Sequence, residues 1–284
     1  MKKELINIRD PFILFEDGVY YMYGTRAENF GRKTGGFDVY TSRDLCEWSE
    51  PSLCFDSEKY GMNTDVNWAP EVHKYRGAYY MLATFTRGDS DLRGSFILKA
   101  EHPLGPFAPY GEGLLTPKAW ECIDGTLYFD RAGRPYIVFS HEHTQIIDGT
   151  IAYAPLKDDL SSLAGEPVTL FSASSPFFAD KLPPDVHRVT DGPFLYRTES
   201  GELFMIWSTF IGGKYAECIV KFTDGEIGEN FAHLPPLMAD DAGHGMIFRA
   251  GEKLFISMHS PNKSGSEHPA FIEIEEKDGA LALK

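Results

Sequence analysis

"INIRDPFILFEDGVYYMYGT" (residues 6–25) sets an Arg-Asp-Pro step before an apolar run, a polar turn with glycine and an aromatic run. That strand-turn-strand pattern returns along the chain. "PFILFEDGVYYMYGTR" (11–26) is followed by "PEVHKYRGAYYMLATFTR" (70–87) and "GTLYFDRAGRPYIVFSHE" (125–142). "GPFLYRTESGELFMIWSTF" (192–210) and "GMIFRAGEKLFISMHS" (245–260) complete the set. The copies start about 53 to 67 residues apart, and each gap has room for two further strands. Five hairpins, each extended to a four-stranded antiparallel sheet, predict an all-β, five-bladed β-propeller. A β-sandwich also has short strands, but not this spaced self-similarity.

The 27 glycines and 18 prolines are spread throughout and no linker divides the chain, so residues 1–284 read as one propeller domain. The one candidate helical patch, "APLKDDLSSLAG" (154–165), is short and lies between strands. With 43% hydrophobic and 14% aromatic residues, the chain can bury a substantial core. Its 27 basic and 42 acidic side chains give a net charge of −15. That field repels nucleic acid and anionic membranes, and it suits a neutral, hydroxyl-rich ligand. Cys46, Cys54, Cys122 and Cys218 form no CxxC pair, so they read as free thiols packed as small apolar residues. The start "MKKELINIRDP" has no apolar h-region and no stretch approaches a membrane span. The expectation is a cytoplasmic protein, or a periplasmic or secreted one if a leader has been removed.

The residues leading the repeats, set in register, are Asp10, Ala69, Asp124, Asp191 and His244. In a propeller the first strand of each blade lies innermost and all five begin at one end of the central channel. Their leading residues therefore form a ring around the axis. An aspartate before Gly or Pro is a common turn residue, because its side chain bonds nearby N–H groups. Three at one repeat position are harder to explain that way, since crowded like charges raise one another's pKa. Carboxylates facing a pocket suit glycoside hydrolysis, in which one acid protonates the leaving oxygen while a second activates water. Trp68 in "NWAPE" and Phe30, after the first hairpin, are candidate stacking surfaces for sugar. Arg26, Glu71 and Glu142 are further candidate contacts.

"IRDPFI", "NWAPEVH", "IDGTLYFD", "TDGPFLY" and "GHGMIF" resemble the blade-opening motifs of glycoside hydrolase family 43, in the family order over residues 8 to about 275. The resemblance implies a five-bladed propeller and an inverting enzyme, most often one that removes α-L-arabinofuranosyl or β-D-xylosyl units from plant polysaccharides. By the same resemblance Asp10 is the general base, Asp124 the residue that tunes the acid's pKa, and Asp191 the general acid. The family usually has glutamate at the last position, so Glu142 is the alternative proton donor and Glu217 a weaker one. His244 matches a histidine that sits near a water-mediated calcium site in the axial channel; no other cofactor is implied. Invertase-like hydrolases share the Arg-Asp-Pro step, but nothing upstream of Asp10 supplies their nucleophile motif. A propeller phosphorylase would need a basic phosphate pocket, for which Arg26, Arg87 and His141 are the candidates. A carbohydrate-binding propeller that has lost its acid is the non-enzymatic alternative. The oligomeric state has no signature in the sequence.

Overall fold

The first hairpin closes where Asp17 and Gly18 both adopt left-handed backbone, at φ 49° and 76°. Arg76-Gly77 does the same in the second repeat, at 48° and 83°. Two consecutive positive φ angles match the right-handed twist of the flanking strands, which is why such turns select glycine at the second place. In the computed structural model, which describes every residue except Asn63 and leaves out the side chain of Asn29, these hairpins grow into five four-stranded sheets. Within each sheet the strands follow chain order and neighbours run antiparallel. The protein is a five-bladed β-propeller. No helix among the described residues is long and apolar enough to cross a membrane.

The innermost strands are Ile8–Glu16, Asn67–Tyr75, Cys122–Phe129, Asp191–Arg197 and Gly243–Ala250. Each touches its two neighbours around the axis, so the circuit closes between blades 5 and 1. No strand is exchanged across that closure. Instead, Ile8 N–H donates to the Glu267 carbonyl at 3.1 Å, Ser257 Oγ donates to the Pro11 carbonyl at 2.7 Å, and Arg9 pairs with the buried Glu267 carboxylate. Between blades the sheets bury aromatic faces. Tyr23, Phe37, Phe55, Phe85 and Phe107 fill the space between blades 1 and 2, and Phe171, Trp207 and Phe222 that between blades 3 and 4. Burial of this much aromatic area is what holds the rigid frame on which the pocket is built.

Every innermost strand carries a β-bulge near its start. The pairing skips between Arg9 and Phe12, Trp68 and Glu71, Asp191 and Phe194, and Gly243 and Met246; blade 3 skips between Ile123 and Thr126. At the bulge the backbone turns left-handed: Asp10 (φ 54°), Ala69 (47°), Asp124 (56°), Gly192 (47°) and His244 (55°). A bulge re-aims a side chain, and here it does so at one level of all five blades. Non-glycine residues rarely accept this conformation, so four of the five positions hold strain that a merely structural strand has no need of.

Two expectations change. Residues 154–165 form no helix; the strand Thr150–Pro155 runs into turns joined by a bridge between Leu156 and Leu163. The single α-helical turn among the described residues is His143–Ile146, at the end of blade 3's second strand. The bulge also places blade 4 one residue away from the simple alignment. Gly192, not Asp191, occupies the position of Asp10, Ala69, Asp124 and His244, while Asp191 is the equivalent of Arg9, Trp68, Ile123 and Gly243.

Candidate active site

The bulge leaves one buried N–H per blade pointing sideways, and the second strand of the preceding blade supplies its acceptor. Thr25 Oγ1 accepts from Ala69 N–H (2.7 Å), Thr84 Oγ1 from Asp124 (2.9 Å), Ser208 Oγ from His244 (2.7 Å) and His259 Nδ1 from Asp10 (3.3 Å). Buried amides must find such partners. The series breaks once. Ser140, the equivalent residue of blade 3, has a buried Oγ with no partner among the described residues. Gly192 N–H instead donates to Asp124 Oδ2 at 3.1 Å. A side chain cannot stand at position 192, because a Cβ there would lie 2.7 Å from His244 Cδ2. The blade-4 carboxylate therefore hangs from the preceding residue, Asp191.

Asp10, Asp124, Asp191 and His244 line one cavity of about 210 Å³ at one end of the axis, with Arg9, Phe30, Trp68, Arg93, Glu142, Phe210, Tyr215 and Asn262 around it. Their surroundings differ. Asp10 accepts from Thr25 Oγ1 at 2.7 Å, and His244 Nδ1 and His259 Nδ1 each stand 3.3 Å from its Oδ1. Burial alone would raise its pKa, but His244, His259 and Arg9 around it outweigh that and hold the carboxyl well below the usual range. Asp124 is pushed well above the usual range by burial and by the Asp10 charge. Asp191 is pushed up to about 8 by burial and then by Asp124 and Glu142, against the pull of His244 and of Tyr215, whose hydroxyl donates to Oδ2 at 3.0 Å. Burial and the Asp191 charge raise the Tyr215 phenol far enough that it stays a donor. At neutral pH the pocket thus holds an ionised carboxylate and a protonated carboxylic acid on different blades. That pair can activate a water and protonate a leaving oxygen.

A family model described as "Glycosyl hydrolases family 43" matches residues 6–269. The chain belongs to glycoside hydrolase family 43. It is similar in structure to an endo-arabinase from Bacteroides thetaiotaomicron VPI-5482, at 35% identity, a TM-score of 0.88 and 98% coverage of each chain. A thermostable family-43 glycoside hydrolase is 26% identical, with a TM-score of 0.85 over 98% of this chain and 93% of that one. An endo-1,4-beta-xylanase from the same Bacteroides shares the fold at 22% identity and a TM-score of 0.80, covering 100% and 96%. No curated protein matches by sequence. As a family-43 glycoside hydrolase the protein acts on carbohydrate.

Within this family-43 pocket, Glu142 stands where the sequence expects it, but its Oε2 is occupied. Arg93 pairs with that oxygen at 2.8 Å and Thr144 Oγ1 donates to it at 3.1 Å. Both contacts hold that oxygen against the Arg93 wall of the pocket. Arg93 also pairs with Glu121 at 2.8 Å and lies 5.5 Å over the Trp68 ring. Trp68 stacks on Phe30 at 5.1 Å, and Arg9 lies 4.2 Å over Phe30. Arg9, Phe30, Trp68 and Arg93 make a continuous cation–aromatic stack along one wall, so these rings are braced rather than free-standing.

The structure does not bring all candidates to the pocket. Arg26 lies away from it, in a bidentate pair with Asp38 at 2.6 and 2.7 Å and bonded to the Thr34 carbonyl. Glu71 is buried against His73 at 3.1 Å and does not line the cavity. Arg87 pairs with Asp89, and His141 stacks on Trp120 at 4.2 Å and bonds Gln145. The three side chains that a phosphate pocket would have recruited are thus engaged with separate local partners. Glu217 is fully buried one strand deeper, accepting from Ser208 Oγ (2.9 Å) and Gly245 N–H (3.0 Å); burial pushes its pKa up to about 7. Cys54, Cys122 and Cys218 are buried free thiols and Cys46 is an exposed one.

Calcium favours six to eight oxygen ligands. His244 Nδ1 faces the Asp10 and Asp124 carboxylates as a hydrogen-bonding partner, and among the described residues no group of three or more His, Cys, Asp or Glu is arranged to hold a metal ion directly. The residues present do not fit a directly bound cation, and no step is assigned to one. Tyr215, His259, Arg93 and Phe210 are the pocket residues that the repeat alignment misses. All four lie on second or third strands, whereas the alignment singles out strand starts. His259 was accessible in principle, being the equivalent of Thr25, Thr84, Ser140 and Ser208.

Proposed function

We propose that the protein is an inverting hydrolase that releases terminal α-L-arabinofuranosyl units, with β-D-xylosyl units as the alternative glycone. The observation behind this reading is that Asp10 and Asp191 line one cavity in opposite surroundings, His244, Arg9 and the Thr25 hydroxyl around the first and carboxyl groups beside the second. Asp10 takes a proton from a water as its oxygen bonds to the anomeric carbon. Asp191 gives its proton to the glycosidic oxygen as the carbon–oxygen bond breaks. The exchange leaves Asp10 protonated and Asp191 ionised, and solvent resets both. Asp124 acts on the acid without touching the reacting atoms: its buried carboxyl disfavours the ionised form of Asp191, and its bond to Gly192 N–H fixes the backbone beside it. The 35% identical endo-arabinase supports an arabinose-containing substrate.

Internal cleavage is the second reading, favoured by the name of that same relative. Proton NMR of the first product formed from an arabino-oligosaccharide labelled at its reducing end tests both questions. Inversion at the anomeric carbon and stepwise loss of single arabinose units are expected. Retained configuration would overturn the single-displacement mechanism, and mid-sized fragments as first products would replace terminal release by internal cleavage.

A further inference from the structure

Beside the catalytic cavity lies a second one, of about 250 Å³, formed between the segment 173–189 and the end of the second blade-4 strand, Leu203–Ile211. Val189 and Phe210 line both cavities, so the two are adjacent. We propose that this second cavity holds the sugar residue on the leaving-group side of the scissile bond, with Phe210 as its platform. The proposal rests on the hydrolytic reading above and gives that reading a direction.

The direction follows from the chemistry. A proton donor must stand on the leaving-group side of the glycosidic bond and the water-activating base on the opposite side. Asp10 is on blade 1, against the stack of Arg9, Phe30, Trp68 and Arg93. Asp191 is on blade 4, two residues after Val189, and its Oδ2 accepts from Tyr215. The Phe210 ring packs on the Tyr215 ring at 5.2 Å. The acid and the second cavity therefore share a wall, and a bond protonated by Asp191 directs its departing half toward Phe210.

The second cavity is also built for a ligand of that kind. Phe210 is 42% exposed, a large apolar face presented to solvent directly after the buried Thr209 on its strand. An aromatic face of this sort suits the apolar C–H face of a sugar ring, while the Asp180 carboxylate and the Thr209 hydroxyl oxygen beside it are acceptors for hydroxyl groups. The segment is pinned in place. Arg188 N–H donates to the Ile147 carbonyl (2.8 Å) and Gly149 N–H to the Arg188 carbonyl (2.9 Å). Thr209 Oγ1 donates to the Val189 carbonyl (2.7 Å) and Gly212 N–H to Asp180 Oδ2 (2.8 Å). A preformed surface loses little ordering entropy when a ligand arrives.

Methyl α-L-arabinofuranoside and a linear arabinotriose separate this site from the catalytic one, because a methyl leaving group reaches nothing beyond Asp191. The quantity read is the ratio of kcat/KM on the trisaccharide to that on the methyl glycoside. Phe210→Ala should lower the ratio by ~10-fold, about what one well-packed aromatic contact supplies, and Phe210→Tyr should restore it. Leu182→Trp, placed on an exposed lining residue to fill the second cavity, should lower the ratio while leaving methyl glycoside hydrolysis unchanged. Ratios unchanged in both Phe210→Ala and Leu182→Trp would overturn the proposal and leave the hydrolytic reading standing. Hydrolysis of neither glycoside by the wild-type protein, nor of the corresponding xylosides, would sink the hydrolytic reading itself and this proposal with it.

Discussion

On the side of blades 5 and 1, Asp10 is ringed by His244, His259, Arg9 and the Thr25 hydroxyl. Across the same cavity, on blades 3 and 4, Asp191 faces Asp124 and Glu142 and has one strong donor, Tyr215. Both carboxyls pay a desolvation penalty, so burial alone cannot separate them. Neighbouring groups do: His244, Arg9 and the Thr25 hydroxyl favour the ionised form of one, and the Asp124 and Glu142 carboxyls disfavour ionisation of the other. Residue type is identical on the two sides. The difference lies in what the adjacent blades present to each, and it turns two aspartates into a base and an acid.

Removing the base should have the largest effect. Asp10→Ala should lower kcat by ~10⁴-fold, the upper range for general base catalysis, on both an arabino-oligosaccharide and an aryl arabinofuranoside. Water activation is needed whatever departs, so a variant that keeps aryl glycoside activity would break the comparison on this side. On the other side the loss should depend on the leaving group. Asp191→Ala should lose ~10²–10³-fold on the oligosaccharide and far less on an aryl glycoside with an acidic phenol, which leaves without help. Glu142→Ala, assayed beside it, should show no such dependence; if it does and Asp191→Ala does not, the proton donor has been misassigned.

How much of this pocket can be read from the chain alone is uneven, for identifiable reasons. The hairpins are legible because turn residues and aromatic runs repeat with the blade period. Asp10, Asp124 and His244 are legible because the bulge recurs at one place in each first strand. Blade 4 misleads by one residue: Asp191 looks like the repeat's leading aspartate, yet Gly192-Pro193-Phe194 is the true counterpart of Asp10-Pro11-Phe12. The missing side chain at Gly192, imposed by the His244 ring, hides the register. Arg26, at the end of the first hairpin, looks like a pocket residue, but its partner Asp38 lies on the next strand of its own blade and turns it away. Tyr215 and Arg93 come from third strands, where no repeated motif draws the eye, and only packing reveals them. The segment 173–189 carries no periodic signal at all.

Smaller changes sharpen the contrast between the two sides. Tyr215→Phe removes the donor to Asp191 Oδ2, so the Asp191 pKa should rise and the alkaline limb of the kcat profile move upward in pH. The anion formed after proton transfer also loses its hydrogen bond, so kcat on the oligosaccharide should fall by ~10-fold. A purely structural role for Tyr215 would lower activity without moving that limb. The smallest effect is on stability. A carboxyl whose folded pKa stands at about 8, above its unfolded value, contributes stability that is complete at low pH and lost as pH rises through 8. Asp191→Asn removes that loss, so its melting temperature should exceed the wild type's at pH 9 by more than at pH 5. An equal difference at both pH values would contradict the raised pKa.

The protonation state of Asp191 itself is the most direct test. Infrared difference spectra between the wild-type protein and Asp191→Asn, recorded across a pH titration, isolate that carboxyl. A protonated carboxylic acid band should persist at pH 7 and vanish with a midpoint of about 8. A carboxylate band already complete at pH 6 would contradict the account, because the pocket would then hold two ionised aspartates and no proton donor on blade 4.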